Sequence, residues 1–157
     1  MRVTARPVFR LAIPAERLAL EELQRRASLM SEEDRDALLA HPDAIELPLE
    51  QITAGRTIVA ENVDELLGFA VVLQRDDGDG ELDGLFVEPA QWRRGIGRAL
   101  VAEAERLAAR DGAASLWVIA NTSALDFYGA CGFVTVGEVA TRFRPAPRMR
   151  KAIDVAR

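Results

Sequence analysis

Apolar residues recur along this chain with two periods, and the switch from one to the other marks out its elements. Short alternating or continuous apolar runs at residues 8–12, 57–61, 66–74, 81–87, 115–120, 133–139 and 149–155 predict seven strands. Four other places read as helices, two of them by a period near 3.6 and two by their caps. Pro14 suits a first helical position, and Ala19, Leu23, Ala27 and Met30 follow as a core-facing stripe, with Glu21, Glu22, Arg25 and Arg26 on the opposite face. Ser31-Glu32-Glu33-Asp34 reads as a capping box for a second, short helix that ends at His41 and Pro42, its acids serving the cap and the helix dipole. Residues 95–110 form the strongest helical pattern, with Ile96, Ala99, Leu100, Ala104, Leu107 and Ala108 on one face and Gly112 as the stop. Ser123-Ala124-Leu125-Asp126 caps a last helix that ends at Gly132.

The connections decide how the strands meet. The polar turn at residues 62–65 makes an antiparallel hairpin, and the turn at 76–80 continues it as a meander. The unbroken apolar run at 115–120 is that of a strand buried on both faces. From there strands alternate with helices, which predicts an α/β fold with a mixed sheet of about seven strands and helices on both faces. No repeat or flexible linker interrupts the pattern, and 157 residues suit a single domain, residues 1–157.

Composition narrows the chemistry. A net charge of −5 and a pI near 5.0 exclude a protein that grips nucleic acid by neutralising phosphates over its whole surface. They leave room for a local basic cluster that binds one phosphorylated ligand. No apolar run approaches a membrane span, and the three arginines within residues 1–10 are not followed by an apolar signal region, so a cytosolic location is expected. One cysteine, Cys131, and one histidine, His41, rule out an internal disulfide and are too few soft ligands for zinc. Neither is assigned a catalytic role. Cys131 reads as a small residue at a tight helix end, and His41 as a loop residue before Pro42.

The most informative segment is residues 87–98, where a strand runs through a glycine-bearing turn into the long helix. Unpaired amides at a helix start favour an anion, Gly95 and Gly97 let a ligand approach the backbone, and Arg93, Arg94 and Arg98 reverse the global sign of charge locally. A glycine pair alone would read as a plain loop. The series of strand, glycines, arginines and helix reads as a phosphate cradle. It is not a P-loop, because Arg98-Ala99 stands where Lys-Ser/Thr is needed, nor a dinucleotide fingerprint, because Leu100 replaces the third glycine and Asn121 the ribose-binding acid.

These residues resemble the GNAT superfamily of acyl-CoA-dependent N-acyltransferases over nearly the whole chain. Trp92-Arg93-Arg94-Gly95-Ile96-Gly97 corresponds to the family's phosphate loop, Gln/Arg-x-x-Gly-x-Gly/Ala, and residues 121–133 to its later signature. Trp92 departs from the usual Gln or Arg. The resemblance implies a GNAT-like, mostly antiparallel sheet, acetyl-CoA as acyl donor, and a pyrophosphate held chiefly by the amides from Arg94 to Arg98, Ile96 and Gly97 among them. It also implies a main-chain amide near Phe86 and Val87 that stabilises the thioester carbonyl as charge builds on it. Glu81 sits where family members with a glutamate base carry theirs, and Asp83 shares its sheet face as the alternative. Both could instead be solvated charges beside a hairpin. Tyr128 aligns with the tyrosine that protonates the leaving thiolate, its other reading being a ring packed under the cofactor. Asn121 either caps the following helix or bonds the pantetheine arm.

The resemblance implies a small-molecule or peptide amine as acceptor, with neither nucleic acid nor membrane as partner, and leaves homodimerisation open. Arg142 and Arg144, flanking Phe143 in the connection at residues 140–147, suggest an acceptor that carries a carboxylate. Two rival readings are a non-catalytic acyl-CoA-binding module and a nucleotide-binding regulator that would take ATP or NAD instead.

Overall fold

The computed structural model describes residues 6–142 and 144–153. In chain order the elements are β1 (Val8–Leu11), α1 (Arg17–Leu29), α2 (Glu32–Ala40), α3 (Leu49–Thr53), β2 (Thr57–Asn62), β3 (Glu65–Gln74) and β4 (Gly80–Val87). There follow α4 (Ile96–Arg110), β5 (Ser115–Ile119), α5 (Leu125–Ala130), β6 (Val134–Val139) and β7 (Ala146–Ala152). The strands form one mixed sheet in the order β1-β2-β3-β4-β5-β7-β6, with β4 and β5 parallel. Asp154 and Val155 of the last predicted strand lie outside the described residues, as does Phe143.

The chain divides into two compact units, Met1–Val71 with Gly84–Glu103, and Val72–Asp83 with Ala104–Arg157. In the first, β2 and β3 join through Val63 and Asp64, both at positive φ (45° and 64°), the backbone of a two-residue hairpin turn whose twist matches its strands. Its core gathers Leu20, Leu23, Leu47, Ile52, Val59, Phe69 and Leu100. Full burial of such side chains stabilises by about 1.5–3 kcal/mol each. Arg17 Nε donates to the Leu47 carbonyl and Glu21 accepts from the Leu47 amide, both at 2.8 Å, which ties the segment before α3 to α1. In the second unit Leu82, Ala104, Ala108, Leu116, Val118, Phe133 and Met149 form the core. Gly80 is required there, since a Cβ would stand 2.8 Å from that of Ala108.

Several expectations are corrected. The apolar stripe of α1 runs through Leu20 and Leu23; Ala19 is exposed, and so is Met30, which lies past the end of the helix at its C-cap, while a 3₁₀ turn at Pro14–Glu16 precedes the helix start at Arg17. Ser31 stands at the N-cap of α2 without a side-chain cap bond; its carbonyl accepts from the Asp34 and Arg35 amides instead. Ser123 lies within a 3₁₀ turn, and α5 starts at Leu125 without a side-chain cap. β5 is not buried throughout, since Trp117 is half-buried and Ile119 exposed. β7 begins at Ala146, three residues before the expected Met149, through pairing of Val139 with Ala146 and Glu138 with Pro147.

Arg10 bonds Glu16 at 2.7 Å and Glu61 at 2.9 Å, and Arg26 bonds Glu88 at 2.7 Å. These bonds hold all three carboxyls below their ordinary value of 4.5. Carboxyls depressed in the folded state contribute stability that is present above that ordinary value and is lost as the pH falls through the depressed one. The urea midpoint is therefore expected to drop as the pH is lowered from about 5 to 3, and to drop less in Arg10→Met. A slope equal in both proteins would contradict the assignment.

Candidate active site

Between β4 and α4 the backbone is bent into an unusual shape. A 3₁₀ turn, Pro89–Gln91, is followed by Arg93 and Gly95 at positive φ (67° and 80°), with α4 starting directly afterwards. Trp92, before them, is extended (φ −63°, ψ 151°), and two positive-φ residues so close together turn the chain sharply, as in the concave backbone turns that bind anions. A left-handed arginine costs about 1–2 kcal/mol, a strain that the surrounding contacts must hold. Two contacts do so. The Trp92 indole Nε1 donates to the Val87 carbonyl at 2.8 Å, closing the loop on the end of β4. Arg26 of α1 makes a two-pronged bond to Glu88 at 2.7 and 2.8 Å, fixing the residue from which the loop departs.

The concave side of this turn is open. A Cβ on Gly95 would meet nothing within 4 Å. The Gly95 carbonyl accepts the Ala99 amide at 3.0 Å, leaving the amides of Ile96, Gly97 and Arg98 without helical partners. Arg93, Arg94 and Arg98 are exposed and, among the described residues, have no ionic partner. The Ile96 side chain is 5% exposed and points into the core, so that residue offers its amide alone. In the same unit Phe86 stacks on Phe69 at 5.4 Å between centroids, and the Glu88 amide donates to Leu67 O at 2.8 Å. Only glycine fits at Gly68, where a Cβ would lie 2.7 Å from the Phe86 carbonyl. Phe86 and Val87 are thus held firmly against β3.

In the second unit β4 pairs in parallel with β5 through Gly80↔Leu116, Glu81↔Trp117 and Leu82↔Val118, where the ladder ends. Glu81 is half-buried, its side chain 29% exposed, and Arg75 approaches it at 3.5 Å, too far for a strong bond. Asp83 is exposed. Arg75 is itself fixed, paired to Asp77 at 3.1 Å and lying 4.4 Å over the Trp117 ring. The Asp77 carboxyl is held below its ordinary value, first by the Asp79 amide and then by Arg75. Asp79 accepts from the Ala114 and Ser115 amides at 3.2 and 3.1 Å and from Trp117 Nε1 at 2.9 Å. The result is a rigid indole directly beside Glu81 in the sheet.

Tyr128 is buried, packed edge-on against Phe127 and Phe133 at 5.2 and 5.4 Å. Its hydroxyl has no hydrogen-bond partner among the described residues. Burial, and secondarily Cys131, push the phenol well above its ordinary 10. Asn121 precedes a 3₁₀ turn, Thr122–Ala124, and its side chain does not cap it. The capping reading of Asn121 is corrected accordingly. Among the described residues no group of three or more His, Cys, Asp or Glu side chains is placed to hold a metal, and no helix is long and apolar enough to cross a membrane. Glu81 and Tyr128 fall in the second unit with Asn121, while Arg93 to Arg98, Phe86 and Val87 fall in the first. Sequence reasoning missed Arg75, Asp79, Trp117 and the pair Arg26–Glu88. The one signal that marked them was the acidic turn at 76–80, read only as a connection.

On a seven-stranded mixed sheet, a strand thus runs through an open turn with three exposed arginines into a helix start, an arrangement suited to an anionic group. The profile of the Acetyltransferase (GNAT) family matches residues 19–133, and the chain belongs to that family, whose acyl donor is acetyl-CoA. Among solved structures it is 27% identical to nourseothricin acetyltransferase (TM-score 0.58), matching 62% of this chain and 65% of that one, so it spans slightly under two thirds of that protein's length. It is 25% identical to a GCN5-related N-acetyltransferase from Rhodopseudomonas palustris over 97% of this chain and 99% of that chain, with a TM-score of 0.74. The PaiA N-acetyltransferase of Thermoplasma acidophilum, solved with coenzyme A, shares the fold at 20% identity, a TM-score of 0.74 and coverage of 93% and 98%. No curated protein matches.

Proposed function

We propose that residues 1–157 work as one N-acetyltransferase domain that moves an acetyl group from acetyl-CoA to an amine by direct attack. The observation that carries this reading is the turn with positive φ at Arg93 and Gly95, open above Gly95 and followed by α4, with three exposed arginines, Arg93, Arg94 and Arg98, that have no ionic partner among the described residues of a chain of net charge −5. The amides from Arg94 to Arg98 and these guanidinium groups would hold the pyrophosphate. Asn121, whose side chain does not cap the turn that follows it, would bond the pantetheine arm.

An alkylamine is mostly ammonium at neutral pH, with a reference pKa of about 10, so it must lose a proton before it can attack. Glu81 is the better base of the two carboxylates, because it is half-buried beside a fixed indole while Asp83 is exposed. The nitrogen–carbon bond forms as the carbon–sulfur bond breaks. The amine's proton passes to Glu81, and the oxygen that gains charge is stabilised by a main-chain amide near Phe86 and Val87. Tyr128 would serve the leaving thiolate as a donor. Its raised phenol makes complete transfer to a thiol of pKa about 8.5 uphill, so its contribution is a hydrogen bond from a phenol that stays protonated throughout the working pH range.

Tyr128→Phe is therefore expected to slow thiol release by about 10- to 100-fold, as for loss of one hydrogen bond to a charged group, while acetyl-CoA affinity is kept. Stopped-flow thiol detection beside equilibrium titration checks this, and a wild-type rate would leave Tyr128 as packing. The function as a whole is tested by native mass spectrometry for bound CoA, then by thiol release with a panel of amines. Retention of CoA without turnover on any amine would favour a binding module.

A further inference from the structure

The sheet face that carries Glu81 also carries two arginines that the fold leaves unused. Register sets Glu81, Trp117 and Arg150 in one row across β4, β5 and β7, and Arg148 in the next row opposite Ile119. At a strand spacing of about 4.8 Å, Trp117 and Arg150 lie roughly 5 and 10 Å from Glu81 along that row. Met149, between the two arginines, is buried on the other face, so Arg148 and Arg150 point the same way. The Arg150 guanidinium lies 5.6 Å over the Trp117 ring.

Three cations thus gather on this face, but their circumstances differ. Arg75 is paired with Asp77 and stands 3.5 Å from Glu81. Arg148, half-buried, and Arg150, exposed, have no acidic partner among the described residues, although the chain has 25 acidic side chains to 20 basic ones. Arg142 and Arg144 of the β6–β7 connection, by contrast, each have a partner. Trp117, pinned by Asp79, forms a rigid floor between the carboxylate and the free guanidinium groups.

We propose that Arg150 and Arg148 bind the carboxylate of an acceptor whose amine lies at Glu81, so that the acceptors of this protein are amines that carry a carboxylate, as amino acids do. A guanidinium matches a carboxylate with a fork of parallel donors, and a half-buried, unpaired guanidinium gains most from such a partner. The inference rests on the reading of Glu81 as the base. It moves anion recognition from the loop arginines expected from the sequence to the strand β7.

The test uses matched triplets, each an amino acid, its amide and its decarboxylated amine, together with phosphoethanolamine. Thiol release gives kcat and KM, and titration of Trp92→Phe, whose only indole is Trp117, gives binding by fluorescence. Expected are a KM about 10- to 100-fold lower for the acid than for its two analogues, and loss of that preference in Arg150→Ala and Arg148→Ala with kcat kept. Arg150→Lys restores part of it. If no compound turns over, a saturating fluorescence change with the acids that disappears in Trp92→Phe/Arg150→Ala supports the site.

Equal KM values within triplets overturn the inference, as do a preference or fluorescence change that survives both alanine variants, phosphoethanolamine surpassing every acid, and an absence of both turnover and fluorescence change. Acetyl-CoA titration of each variant separates the two readings. Failure of wild type to bind acetyl-CoA strikes the proposed function, whereas intact acetyl-CoA binding without carboxylate preference strikes this inference alone.

Discussion

Gly95→Asp is expected to weaken acetyl-CoA binding by at least about 100-fold, equivalent to roughly 3 kcal/mol. Two effects combine. Gly95 has φ of 80°, a conformation that costs a non-glycine residue about 1–2 kcal/mol and is charged to folding. The larger effect falls on binding, because the space above Gly95 is empty and a carboxylate placed there would fill the cradle and repel a diphosphate. Gly95→Ala separates the two, sharing the strain without the charge. It should lose stability to a similar degree in urea melts and keep more affinity than the aspartate variant. Gly97→Val, in the first turn of α4, should also block binding by bulk. Affinity unchanged by both Gly95→Asp and Gly97→Val would remove the main support for a phosphate cradle.

Glu81→Gln has the largest expected effect on turnover, a loss of about 100- to 10,000-fold in kcat, the range typical of a lost general base. Acetyl-CoA affinity should hardly change, because Glu81 is not part of the cradle. The loss should shrink as pH rises towards the amine's own pKa of about 10, since the acceptor then deprotonates without help. Asp83→Asn is the internal control. If it reproduces this pattern and Glu81→Gln does not, the base is Asp83. Glu81→Gln also removes a charge facing Arg75, and the pH profile distinguishes the cases: a merely structural role would leave the size of the loss independent of pH.

The elements that were legible in the sequence are those whose pattern is local. The α4 stripe repeats over four turns, and the two-residue turn at Val63 and Asp64 lies between alternating strands, so propensity and packing agree there. The start of α1 was misplaced because Pro14 opens a 3₁₀ turn and the α-helix follows only at Arg17. Ser31 and Ser123 have the composition of caps without the bonds, since composition does not decide which way a hydroxyl rotates. β5 was read as buried on both faces from its apolar run alone, whereas Trp117 and Ile119 lie on a face that holds charged and reactive groups.

The same division holds at the site. Gly95 and the arginines around it stood out as a candidate cradle because their spacing along one stretch of chain is characteristic, and Glu81 was named from the family resemblance. The Trp117 platform was not. Arg75, Asp79 and Trp117 come from three strands or turns that the sheet brings together, and only register shows that Trp117 adjoins Glu81. The departure of Trp92 from the family pattern has a structural account that sequence could not supply, since its indole closes the loop on Val87.

On the proposed reading this chain binds acetyl-CoA at the Gly95 turn and transfers its acetyl group. Isothermal titration of the full chain with acetyl-CoA, with ATP and NAD as parallel titrants, tests it most directly. Expected is a single site for acetyl-CoA with Kd well below about 1 mM, an affinity better than roughly −4 kcal/mol, that is abolished in Gly95→Asp. No heat with acetyl-CoA up to that concentration, or saturation by ATP or NAD instead, would contradict it.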